Sequence, residues 1–140
     1  MFRSRAHAFA LVGGITYILI GIVGFFVTGL GIGDFVSNTD DRLLVFDLNP
    51  FHNFVHIGAG ALLVGASRFE EPGVTDGVTI GVGLILIVAA LLGYTGALDH
   101  LLSIDGKLAA DNFLHLITGV LAVVVGATDN PRVASSAPPV

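Results

Sequence analysis

Long stretches without charged side chains alternate along the chain with short polar segments. Asp, Glu, Lys and Arg are absent from residues 8–33, 53–67, 77–98 and 112–128. About 17–25 apolar residues form a helix long enough to cross the hydrocarbon core of a bilayer. The second stretch reaches that length if its helix begins near Leu48, with Pro50 in the first turn, where no helical donor is lost. The pattern predicts an all-α integral membrane protein with four transmembrane helices.

Composition supports the same class. Of the 140 residues, 54% are hydrophobic and 12% are charged, which leaves too little polar surface for a soluble globular domain. The first apolar stretch follows Arg3 and Arg5 but is about twice as long as the hydrophobic region of a signal peptide, so we expect a retained first helix. Cysteine is absent, which excludes disulfides, iron–sulfur clusters and thiolate metal sites.

The few basic residues predict the orientation in the membrane. Only Arg42 and Lys107 lie in the two loops on one side of a four-span arrangement. By the positive-inside rule, we expect a multi-pass protein of the cell membrane with both termini in the cytoplasm. Most of the net charge of -5 then faces outward, which disfavours nucleic acid as a partner. The basic residues on the inner side are Arg3, Arg5, Arg68 and Arg132.

Part of the sequence occurs twice. NFVHIGAG, Asn53 to Gly60, recurs as NFLHLITG, Asn112 to Gly119, and GITYILI (14–20) aligns with GVGLILI (81–87). This predicts one domain over residues 1–129 that contains two tandem helical hairpin repeats, about 8–67 and 77–128. Because each repeat crosses the membrane an even number of times, a pseudo-twofold axis would run along the membrane normal. Residues 130–140 are rich in Pro, Ser and Ala, and we expect a disordered tail.

Each repeat carries a polar stripe within an apolar helix. Residues at i, i+3 and i+7 share one helix face, and a polar group without a partner in a bilayer costs several kcal/mol. We therefore favour a structural role, in which Asn and His form hydrogen bonds to neighbouring segments and Gly lets the helix backbones approach closely. The two stripes consist of Asn53, His56 and Gly60, and of Asn112, His115 and Gly119.

Two alternatives assign a ligand to these histidines. His52 and His56 are spaced i, i+4, as are Asp111 and His115, and the repeat places His52 opposite Asp111. Three imidazoles and one carboxylate are a plausible set for zinc or another divalent transition metal. In the second alternative, His56 and His115 are the two axial ligands of a haem held between the second and fourth helices. No Ser/His/Asp grouping or paired carboxylates indicate catalysis, so we do not expect an enzyme.

The segments LLVFDLNPFHNFVHIGAGALLVGA (43–66) and ADNFLHLITGVLAVVVGA (110–127) also carry a resemblance to a known family. They resemble the two signature segments of a prokaryotic membrane protein family, domain of unknown function 4383. The resemblance implies a small four-helix membrane protein and supplies no activity. The residues that match the family pattern are Asn49, His52, Asn53, His56, Asp111, Asn112 and His115.

The favoured function is that of a structural or accessory membrane protein without a cofactor. Such a chain would act by packing in the lipid bilayer within a homo-oligomer or against a larger membrane partner, because its Gly-rich helix faces suit close packing. The alternative is a metal- or haem-binding membrane protein.

Overall fold

Four α-helices form the protein in a computed structural model that describes residues 4–129, apart from the Pro72 side chain. Three of them, Arg5–Thr28, Gly73–Thr95 and Ala110–Asp129, are long and apolar enough to cross a membrane. This confirms the all-α class, and it confirms three of the predicted spans as helices with the length and composition needed to cross. The predicted tail, 130–140, lies outside the described residues. The helices are α1 (Arg5–Thr28), α2 (Pro50–Ala66), α3 (Pro72–Thr95) and α4 (Ala110–Asp129).

Helix α2 is shorter than the other three. It has 17 residues and begins at Pro50 rather than near Leu48, because the Asn49 side chain caps it by accepting a hydrogen bond from the His52 backbone N–H at 2.8 Å. At about 1.5 Å per residue its length is roughly 25 Å, less than the roughly 30 Å thickness of a bilayer core. The second predicted span is therefore a short helix.

Helices α1 and α2 pack antiparallel, as do α3 and α4, through backbone contacts at glycine. A Cβ atom added to Gly60 would lie 2.5 Å from the Gly14 carbonyl oxygen, and one added to Gly119 would lie 2.7 Å from that of Gly83. Real Cβ atoms do not approach a carbonyl oxygen this closely. Gly60 and Gly119 therefore permit the close approach within each helix pair.

These contacts correct the sequence alignment of the first and third helices. In the helix packing, Gly83 takes the place that corresponds to Gly14, whereas the alignment assigns that place to Gly81. A Cβ atom at Gly81 would meet nothing within 4 Å. A shift of two residues rotates a position by roughly 200° around the helix axis. The alignment therefore paired apolar residues that lie on opposite faces of their helices.

The start of α1, the end of α4 and the α2–α3 connection meet at one end of the molecule, here called the terminal end. The Arg5 guanidinium lies 3.1 Å from an Asp129 carboxylate oxygen, and the Thr75 hydroxyl donates to the Ala66 carbonyl at 2.9 Å. Asp76, which was not singled out from the sequence, is fully buried nearby, and its carboxylate oxygens have no hydrogen-bond partner within residues 4–129.

The opposite end, the loop end, consists of residues 29–49 and 96–109. It contains a small antiparallel hairpin, β1 (Arg42–Leu43) and β2 (Phe46–Asp47), that the sequence pattern did not predict. The Asn49 amide donates to the carbonyls of Ser37 at 2.9 Å and Leu101 at 3.2 Å. Asn49 thus connects the two loops to each other as well as capping α2.

Candidate metal centre

Three histidines that are far apart in the sequence meet inside the protein. Their ring centroids are separated by 4.4 Å for His52 and His56, 5.7 Å for His52 and His115, and 6.0 Å for His56 and His115. One ring nitrogen from each lies within 4.8 Å of those from the other two. All three residues are buried, at 0–3% exposure.

The positions of the histidines follow from the helix starts and the packing of the pairs. His52 and His56 lie on successive turns of α2, directly after the Asn49 cap, so the cap determines where both rings lie along the helix. His115 lies in the second turn of α4, five residues after the helix begins. The Tyr17 ring of α1 packs edge-on against the His56 ring, with centroids 5.4 Å apart, and the Tyr17 hydroxyl forms a hydrogen bond of 3.0 Å with the Thr118 hydroxyl of α4.

The hydrogen bonds of His52 determine which of its nitrogens is available as a ligand. Its Nδ1 lies 3.2 Å from the Asp47 carbonyl oxygen, and because a carbonyl only accepts, we assign the proton to Nδ1. Nε2 then carries a lone pair that no hydrogen bond within the described residues uses. A ring oriented by an Nδ1–H bond to a backbone carbonyl is the usual arrangement of a metal-binding histidine.

Most of the other imidazole nitrogens lack the hydrogen bonds that a structural role would require. The Nε2 of His52, both ring nitrogens of His56 and the Nδ1 of His115 are buried without a hydrogen-bond partner within the described part of the chain. Leaving a buried polar group unpaired costs about 1–3 kcal/mol, so a cluster of such groups is unusual in a purely structural site.

The asparagines of the stripes are partly satisfied, because their amide nitrogens form hydrogen bonds, while their Oδ1 atoms, like the imidazole nitrogens, have no partner within the described residues. The Asn53 amide donates to the Thr28 hydroxyl at 2.9 Å, and the Asn112 amide donates to the Lys107 carbonyl at 3.3 Å. Their side chains pack against Gly24 and Gly93, where an added Cβ atom would overlap them. Each Asn therefore faces the preceding helix of its own pair, whereas the His residues of the two pairs face each other.

Asp111 does not belong to the histidine cluster. Its carboxylate accepts a hydrogen bond from the Asp47 backbone N–H at 3.0 Å, and Asp47 in turn pairs with Arg42. Asp111 and His56 line a second cavity of about 240 Å³, whose lining does not include His52 or His115. The structure thus brings together the three predicted histidines and uses the predicted carboxylate to anchor β2. Asp47, which contacts both His52 and Asp111, was missed because nothing in its local sequence marks it.

A cavity of about 190 Å³ adjoins the histidine cluster. All three imidazoles line it, together with Tyr17 and with Val, Ala, Leu and Ile side chains from α2, α3 and the loop after α3. Binding sites for molecules of drug size have volumes of about 300–1,000 Å³, and a porphyrin falls in that size range. The space beside the histidines therefore suits a single ion and a small molecule better than it suits haem.

The comparisons with known proteins identify a family but supply no function. The model of a family described as Domain of unknown function (DUF4383) matches residues 7–128. No curated protein and no solved structure matches the chain. The match includes nearly all of the four helices and all three clustered histidines, while any chemistry has to be inferred from the site itself.

Proposed function

We propose that this chain, which belongs to the DUF4383 family, is a membrane protein that binds one divalent transition-metal ion through His52, His56 and His115. The observation that carries the proposal is the convergence of three buried imidazoles, each with at least one ring nitrogen that has no hydrogen-bond partner within the described residues. A bound metal ion would coordinate nitrogen lone pairs whose burial without a partner otherwise costs free energy of folding.

The donor set and its surroundings fit such an ion. Three histidines with a fourth position open are a common zinc arrangement, with Zn–N distances of about 2.0–2.1 Å. Tetrahedral geometry then places the nitrogens roughly 3.3 Å apart, so the rings would close inward from their present spacing of at most 4.8 Å. The Asp47 carbonyl would hold the His52 ring in the ligating orientation. Imidazole suits zinc, copper, iron and nickel, so the donors alone do not choose among them.

Cobalt titration of the purified protein tests this proposal. In mild detergent, we expect one Co²⁺ per chain with the visible absorption of a four-coordinate site, and zinc should displace it. His100→Ala is the matched control, because His100 is exposed and lies outside the cluster, and it should titrate like the parent protein. The absence of saturable binding in the parent would overturn the proposal.

We further propose a four-helix bundle of two hairpin repeats, related by a pseudo-twofold axis along the membrane normal, in the cell membrane. The matched contacts of Gly60 with Gly14 and of Gly119 with Gly83 support the repeat. In this arrangement α2 also crosses the membrane, and residues of the loop end extend its short helix to the full thickness of the bilayer core. Both termini are then cytoplasmic. The role is binding rather than catalysis.

Single cysteines test the orientation in a chain that has none of its own. Leu108 at the loop end and Glu70 at the terminal end are both exposed. In intact cells, Leu108→Cys should react with a membrane-impermeant thiol reagent, and Glu70→Cys should react only after permeabilisation. The reverse pattern would contradict the proposed orientation, and equal labelling of both would show that α3, which lies between them, does not cross the membrane.

An accessory role, in which a second copy packs on α3, is the other candidate function. Gly73, Gly77 and Gly81 follow a small-xxx-small pattern, and a Cβ atom at each would meet nothing within 4 Å. Gly77→Cys should therefore form disulfide-linked dimers in membranes under mild oxidation. Gly58→Cys is the control, because Gly58 is also exposed but lies on α2, outside the proposed α3 interface. Equal crosslinking of both variants would indicate random collision and refute the α3 interface.

A further inference from the structure

We infer that the histidine cluster is also the binding site of a small, uncharged, lipid-soluble molecule, which enters from the membrane between α2 and α3. The part of the inference that places this molecule beside a metal ion rests on the proposed function. The cavity itself is a property of the protein without metal.

The mouth of the cavity lies on the surface that faces lipid. Ile85 and Leu62 line the cavity and are 63% and 58% exposed, so they form its outer rim. Ile85 stands near the middle of the Gly73–Thr95 span, far from either end of that helix. The opening is therefore at the depth of the hydrocarbon core, and water-soluble ions have no route to it from that side.

The interior of the cavity excludes charged ligands. Its inner wall includes Leu86 and Val82, both nearly fully buried, and the hydroxyl of Tyr17 is already bonded to Thr118. The histidines are the remaining polar groups of the lining. A ligand there meets one polar spot on an otherwise apolar wall, which suits a neutral molecule with a single donor atom.

The volume sets the size of the ligand. An aliphatic and aromatic cavity of about 150 Å³ stays dry and binds benzene or xenon. At about 190 Å³, this cavity accommodates molecules from a diatomic gas up to a single small ring. Ala59 and Ala89, one on each flanking helix, keep the space open, because a larger side chain at either position would fill it.

Xenon tests the cavity without reference to metal. In metal-free protein in nanodiscs, xenon should shift the methyl resonances of Leu62, Val82 and Leu86 in a saturable way. Ala59→Leu should abolish these shifts. Ala61→Leu should preserve them, because Ala61 lies on the same helix but is exposed and outside the lining. The absence of saturable shifts in the parent, or their persistence in Ala59→Leu, would overturn the inference.

Cobalt-loaded protein tests access to the ion. Pyridine should change the visible spectrum of bound Co²⁺ in the parent, and its apparent affinity should fall at least about 10-fold in Ala59→Leu, as expected from the effect of even one extra methylene in an apolar site. Azide, an anion that is smaller than pyridine and is therefore not excluded by its size, should have little effect. Azide binding as readily as pyridine would refute entry from the lipid. If Co²⁺ does not bind at all, the proposed function fails, and the xenon measurement alone decides the cavity.

Discussion

Gly60→Leu is expected to lower the free energy of unfolding by about 3 kcal/mol, the upper end of the range for overpacked interiors. The Gly60 position faces the backbone of α1, where an added Cβ atom would lie 2.5 Å from the Gly14 carbonyl oxygen. A flexible side chain could move aside, but a helix backbone cannot do so without separating the pair. Thermal unfolding in detergent, followed by circular dichroism, should show a Tm lowered by roughly 10 °C.

Matched leucines elsewhere provide the controls. Gly58→Leu lies on the same helix, but a Cβ atom there meets nothing within 4 Å, so its Tm should stay close to that of the parent. On α3, Gly83→Leu should be as damaging as Gly60→Leu, and Gly81→Leu should be tolerated. The two α3 variants distinguish the observed packing from the sequence alignment, because the alignment implies that Gly81→Leu is the more damaging of the two. Damage from Gly81→Leu with tolerance of Gly83→Leu would contradict the helix packing described here.

Replacing His56 or His115 by glutamine is expected to weaken metal binding by more than about 100-fold. Changes to the partners of metal ligands already cost about 10–100-fold, and a carboxamide is a poor substitute for imidazole at these metals. Each leucine variant should be as defective as the glutamine variant at the same position. Competition titration with Zn²⁺ against a chromophoric chelator measures the affinities, and His100→Gln serves as the exposed control.

Stability without metal separates this role from a hydrogen-bonding one. Both ring nitrogens of His56 are buried without a partner within residues 4–129, so His56→Leu removes unsatisfied polar groups. The metal-free leucine variant should therefore be as stable as the parent or more so. If the histidines were structural, glutamine would be tolerated, whereas leucine would cost about 1–3 kcal/mol. Loss of stability in metal-free His56→Leu, with tight metal binding by His56→Gln, would reject the metal site.

The limits of α2 show how far local sequence rules reach. The apolar stretch predicts a helix, and Pro50 in the first turn is as expected. Its start is determined by the Asn49 side chain, which also donates to carbonyls of two loops and so contributes to both the cap and the loop contacts. A cap motif can be recognised in a sequence, but the contacts that the capping residue makes with distant loops determine where the helix begins, and those contacts belong to the tertiary structure.

The polar stripes show where periodicity stops being informative. Helical spacing correctly places Asn53 and His56 on one buried face, since the angle between residues is a property of the helix alone. It does not indicate that Asn53 turns to Thr28 on the preceding helix while His56 meets His115. Those partners depend on how the two helix pairs lie against each other.

The sequence by itself determined the membrane class, the presence of four helices and the histidines as the residues of interest, because hydropathy and helical period are local properties. Only the tertiary structure decided that His52 joins His56 and His115 while Asp111 binds the backbone of Asp47. It also decided that Gly83, rather than Gly81, packs against α4. These outcomes depend on contacts between segments that are far apart in the sequence. Backbone approach at glycine and the folding of the loops determine those contacts, and neither of them leaves a periodic signal in the chain.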